Sequence, residues 1–119
     1  MLIAAAALVV FIGLVHSILG ERFILLRLFR QPLPPLFGSD DFTKKTLRFA
    51  WHITTLAWFG LAAIIVHISE ASADRAVILT IIGLTFGASA LVALLASRGK
   101  HYSWLVFGVI AVLCFLAAS

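Results

Sequence analysis

Residues 1–20 read MLIAAAALVVFIGLVHSILG and contain no Asp, Glu, Lys or Arg. At 1.5 Å per residue, a helix of that length reaches about 30 Å, the thickness of a bilayer's hydrocarbon core. Three more uncharged runs repeat the pattern, at 49–69, 76–97 and 103–119. The last is the shortest, at about 25 Å as a helix, and it spans only with little tilt or in a thin bilayer.

The rest of the chain agrees with this reading. Hydrophobic residues make up 63% of the 119 positions and charged residues 12%, and the mean hydropathy is +1.16. A single core in so small a chain cannot hide that much apolar surface, which excludes a soluble enzyme and a disordered tail. The lone cysteine, Cys114, excludes a disulfide scaffold. The expected fold is an all-α integral membrane protein, an antiparallel bundle of four transmembrane helices. It forms one membrane domain over 1–119, with an interfacial or cytoplasmic segment at 21–48. The first run is expected to stay as a span. No lysine or arginine precedes it, and no small-residue cleavage site follows it.

The loops orient the spans. Arg22, Arg27, Arg30, Lys44, Lys45 and Arg48 lie in the segment 21–48, and Arg98 and Lys100 lie between the last two runs. Two crossings separate these segments, so they share a side. The other side has only Arg75. The positive-inside rule then predicts basic loops in the cytoplasm and both termini outside, as in a bacterial inner membrane. Trp51, Tyr102 and Trp104 fall at the same interface, where amphipathic rings prefer to sit. The basic face suits anionic lipid or an acidic partner, although topology alone accounts for it. The expected partners are the bilayer, with a second copy or a larger membrane protein open, and no nucleic acid.

Within 21–48, the stretch from Glu21 to Arg30 places Arg22, Arg27 and Arg30 on one half of a helical wheel. Ile24, Leu25, Leu28 and Phe29 take the other half. This fits a helix in the headgroup region or an extension of the first span. Pro32, Pro34 and Pro35 must end it. Ser39 or Asp40 can cap a new helix leading into the second span, with Asp41 near its positive end.

Polar groups are costly in hydrocarbon, so each needs a reason. His16 lies one turn before the end of the first span and His52 one turn into the second. Counted from Glu21 and Arg48, both sit roughly 6–7 Å below the same surface. Gly13, His16, Ser17 and Gly20 share a face by i, i+3, i+4 and i+7 spacing, and so do Arg48, His52 and Thr55. The candidate site is therefore His16, His52 and Glu21 as possible ligands, supported by Ser17, Arg48 and Thr55. Gly13 and Gly20 allow close helix approach.

Three chemistries fit these residues. Two opposed imidazoles can ligate a haem b. His16, His52 and Glu21 can hold a divalent metal. The same groups can carry protons, because histidine is the side chain that changes charge near neutral pH. The plain alternative is a hydrogen-bonded clamp between two helices, with no ligand. In the third span, Gly83 and Gly87 make a small-xxx-small face for packing inside the bundle, for a homodimer or for a larger partner.

No phosphate loop, paired-cysteine motif, zinc motif or nucleophile elbow occurs. An enzyme is the least supported reading. The first functional reading is a binding protein with a His/Glu/Arg site near the cytoplasmic face. The others are an accessory or assembly subunit packing through the third span, and a small oligomeric transporter.

Overall fold

The computed structural model describes residues 1–70 and 72–119, and these are helical apart from short connections. Helix α1 is Leu2–Leu28, α2 is Asp41–Ile68, α3 is Arg75–Ser97 and α4 is Ser103–Ala118. The first three are long and apolar enough to cross a membrane. The fourth is apolar but shorter, with 16 residues.

The helix ends have local causes. α1 is α-helical over Leu2–Leu19, widens into a π turn over Gly20–Leu25 and closes with Leu26–Leu28. In the π turn the Leu26 N–H reaches back five residues to the Glu21 carbonyl. The amphipathic stretch after Gly20 thus extends α1, and α1 stops ahead of Pro32. The chain then reverses at Phe37 and Gly38, both with positive φ (56° and 90°), and the Leu36 N–H donates to the Ser39 carbonyl at 2.9 Å. A primed turn needs this left-handed pair, which glycine adopts without strain.

Asp40 sits at the N-cap of α2, but its carboxylate does not bond the first amides of the helix. It accepts instead from the Leu33 N–H at 3.2 Å and pairs with Lys44 at 2.7 Å. α3 starts at Asp74, whose side chain accepts from the Ala76 N–H at 2.9 Å. It ends in a left-handed turn at Arg98 (φ 51°) and Gly99 (φ 76°).

Among the described residues the helices stand in a row, and each packs on its neighbours in the chain: α1 on α2, α2 on α3, and α3 on α4. The Cα envelope measures 53 × 31 × 14 Å. Helices packed side by side at 8–10 Å make a row of four about 30 Å wide, which matches the middle dimension.

The reason lies in which residues are small. Ala6, Gly13, Gly60, Ala62, Gly83, Ala93 and Ala111 fill the contacts, while Leu8, Phe11, Leu95 and Leu116 point outward. Small residues bring the backbones close and leave the bulk outside.

Candidate functional site

The α1–α2 contact gathers the polar residues. The two helices run antiparallel, so Glu21 meets Arg48, Ser17 meets His52, His16 meets Trp51 and Gly13 meets Thr55. At the outer end the Arg48 guanidinium holds the Glu21 carboxylate by two bonds, Nη2 to Oε1 at 2.8 Å and Nε to Oε2 at 3.2 Å. Its carbon also lies 5.0 Å from the centre of the Phe29 ring. Glu21 Oε2 is 3.2 Å from His52 Nε2. His52 Nδ1 is 2.9 Å from Ser17 Oγ, and Ser17 Oγ is 2.7 Å from Thr55 Oγ1. Thr55 Oγ1 lies 3.3 Å from the Gly13 carbonyl.

The result is one continuous series: Arg48, Glu21, His52, Ser17, Thr55 and the Gly13 carbonyl. It runs from exposed to buried. The Arg48 side chain is 45% exposed and that of His52 36%, whereas Thr55 is 6% exposed. Glycine allows the approach at both ends. A Cβ at Gly13 would stand 3.0 Å from the Phe59 ring, and one at Gly20 would collide with the Trp51 indole.

His16 turns to a different set of partners. Its ring stacks on Trp51 at 4.5 Å between centroids and lies against Trp58 at 5.0 Å. Each imidazole thus has its own partners, His52 with Glu21 and Ser17 and His16 with Trp51 and Trp58. Among the described residues, no three His, Cys, Asp or Glu side chains gather closely enough to hold a metal ion. The haem and metal readings of His16, His52 and Glu21 lose their geometric basis.

The remaining candidates lie elsewhere. A Cβ at Gly83 would come within 2.7 Å of the Phe115 ring, and one at Gly87 within 3.8 Å of Ala111. The small face of α3 is thus covered by α4 of the same chain. His67 accepts the Asp74 N–H at 2.8 Å at the far end of α2, and His101 shares a hydrogen bond with Ser103 at 2.8 Å. Cys114 is half-buried and unpaired.

Two site residues escaped the sequence reading. Trp51 and Trp58 make the wall on which His16 rests. They lie seven residues apart with Thr55 between them, so all three share one face of α2. That spacing was the available signal.

Hydrogen counting shows what the series can do. Glu21 as a carboxylate only accepts, so a neutral His52 donates from Nε2 to Glu21 and accepts at Nδ1. Ser17 then donates to His52, and Thr55 donates to Ser17. With a second proton His52 donates from both nitrogens. Ser17 must then donate to Thr55, and Thr55 to the Gly13 carbonyl. One proton on His52 reverses both hydroxyls and leaves every group satisfied in either state.

The order hydroxyl, imidazole, carboxylate is also that of a hydrolytic triad. Here the second bond of Ser17 is taken by Thr55, and the nearby indole N–H of Trp51 is committed to the His16 carbonyl at 3.0 Å. No protein-family model, curated protein or solved structure matches the chain.

Proposed function

We propose that this chain is an integral membrane protein forming one membrane domain of four spans. Its termini lie outside a bacterial inner membrane, and its function is carried by a proton-binding clamp between α1 and α2 near the cytoplasmic face. The observation that carries the reading is the unbroken series from Arg48 to Thr55, centred on His52 between Glu21 and Ser17. Glu21 of α1 contacts His52 directly, and Arg48, on the same helix as His52, pairs with Glu21. Taking up a proton moves the last hydrogen bond from within the side-chain series to the backbone of α1 at Gly13. The clamp thus reports proton concentration as a change in how α2 grips α1. The series ends at Gly13, which supports a sensor or coupling element over a conducting path.

Four spans are supported by the four apolar helices, with α4 reaching about 24 Å along its axis and needing a thin or locally thinned bilayer. The test is nitrogen-15 NMR of the imidazoles in lipid bilayers between about pH 5 and 8, the range in which histidine ordinarily changes charge. His52 is expected to pass from one neutral tautomer to the doubly protonated ring, and Glu21→Gln is expected to change the Nε2 signal, because Nε2 faces the Glu21 carboxylate at 3.2 Å. A His52 ring that keeps one tautomer and no charge over the whole range rejects the proposal.

A further inference from the structure

A second polar site lies beyond the clamp, where the loop before α2 meets the turn between α3 and α4. The two enclose a cavity of about 110 Å³ lined by Ser39, Asp41, Lys45, Arg98 and Lys100, with Phe37 on its rim. Three cations and one carboxylate face this small space. Asp41 is committed to Lys45 at 2.7 Å, whereas Arg98 and Lys100 form no ion pair among the described residues. The Lys100 ammonium lies 5.9 Å from the centre of the Phe37 ring.

The fold holds these like charges together. Arg98 is a non-glycine residue in the left-handed region (φ 51°), and so is Phe37 across the cavity (φ 56°). Such conformations persist only where the surroundings enforce them. The enforcing contacts are aromatic. The His101 ring packs on Phe49 at 5.3 Å and on Phe42 at 6.3 Å, and this pins the turn after α3 to the start of α2. These contacts tie the two backbone segments that border the cavity to one another.

A polar surface cavity with two surplus positive charges, a guanidinium and a hydroxyl suits a compact, doubly charged oxyanion. We infer that this cavity binds a phosphate group, held by Arg98 and Lys100. Its place at the basic end of α3 is the headgroup level of the inner leaflet in the proposed orientation, so anionic lipid can supply the phosphate. Free inorganic phosphate has the same chemistry.

The experiment measures binding to the full chain at about 0.15 M salt, where exposed charges are largely screened beyond about 8 Å. One arm titrates inorganic phosphate into detergent-solubilised protein. The other compares lipid retained from nanodiscs of phosphatidylglycerol with that from phosphatidylcholine nanodiscs. Binding in the first arm identifies free phosphate, and retention of phosphatidylglycerol alone identifies the headgroup. Arg98→Gln and Lys100→Gln are each expected to weaken binding about ten-fold, on the scale of a charge-assisted hydrogen bond. The pair Arg27→Gln and Arg30→Gln, which removes the same charge outside the cavity, should leave it unchanged. Asp41→Asn should tighten binding several-fold by removing the competing carboxylate, a gain that misfolding cannot produce. Absence of binding in both arms overturns the inference, and so does equal weakening by the two pairs of basic variants.

Discussion

His16 and Trp51 are locked together reciprocally. The Trp51 indole N–H donates to the His16 carbonyl at 3.0 Å, and His16 Nε2 meets the Trp51 carbonyl at 3.3 Å. Their rings lie 3° from parallel. A carbonyl only accepts, so His16 carries a hydrogen on Nε2. His16→Ala removes one hydrogen bond and a stacked ring pair, and the expected cost is about 1–3 kcal/mol. His16→Phe keeps the stack and should cost less than His16→Ala. Thermal unfolding in detergent gives both values, and equal losses would assign the whole effect to the hydrogen bond.

Gly20 lies against the same indole. A methyl group there collides with Trp51, so Gly20→Ala should destabilise by about 1–3 kcal/mol through overpacking. Gly108 faces open space, and a Cβ there meets nothing within 4 Å. Gly108→Ala should therefore be neutral or slightly stabilising, by about the 1 kcal/mol that separates glycine from alanine in a helix. The two variants melting alike would mean that α1 and α2 do not approach at Gly20.

These contacts mark where sequence reading succeeds and stops. Ser17 and Glu21 are four apart, as are Arg48 and His52, and that spacing puts each pair on one stripe of its helix. Counting turns sets depth, and this led to the surface where the two helices meet. Rotation about the helix axis is not set by counting. His16 is adjacent to Ser17, and Trp51 to His52, so a turn of about 100° decides which of each pair meets the other helix. Only the packed structure shows that both do, in two separate sets. The row of helices was also hidden, because a leucine facing lipid and a leucine facing a helix look alike in sequence. The π turn at Gly20–Leu25 has no composition signal of its own.

Asp40 makes the loop before α2 sensitive to acid. The Lys44 ammonium, and then the Leu33 amide, hold its carboxyl below the usual carboxylate range. A depressed folded value means that this contribution is complete above the unfolded value and is lost as pH falls through the folded one. Acidification below about pH 4 is therefore expected to loosen the loop. A spin label at Ser39 should become more mobile there, and Asp40→Asn should be mobile at every pH. Mobility independent of pH in the unsubstituted loop would contradict the assignment.

The proposed orientation places Ser39 in the cytoplasm and Ala73 outside. Cysteines at these positions, in a Cys114→Ala background, should differ in reaction with an impermeant thiol reagent on intact cells. Ala73→Cys should label and Ser39→Cys should not. The 8-to-1 division of basic residues between the two sides motivates this outcome. Labelling of Ser39→Cys alone would invert the protein and move the clamp to the outer face.

The Ser17–His52 bond offers the sharpest test of the clamp. Ser17→Ala leaves His52 Nδ1 and the Thr55 hydroxyl without their shared partner, at an expected cost of about 1–2 kcal/mol. His52→Phe removes the ring's bonds to both Ser17 and Glu21. If the two side chains act through one hydrogen bond, the double variant should cost less than the sum of the single ones, by about 0.5–1.5 kcal/mol. Arg48→Ala should couple more weakly to either, because its ion pair with Glu21 is partly exposed and such pairs contribute about 0–1 kcal/mol. The pH response adds a second readout. Ser17→Ala cuts the series between His52 and Thr55, so the hydroxyl of Thr55 should stay on the Gly13 carbonyl whatever the charge on His52. Carbon-13 labelling of the Gly13 carbonyl should then show a shift with pH in the unsubstituted protein and none in Ser17→Ala. Strict additivity, together with a Gly13 signal that ignores pH in both proteins, would reduce the series to ordinary helix packing.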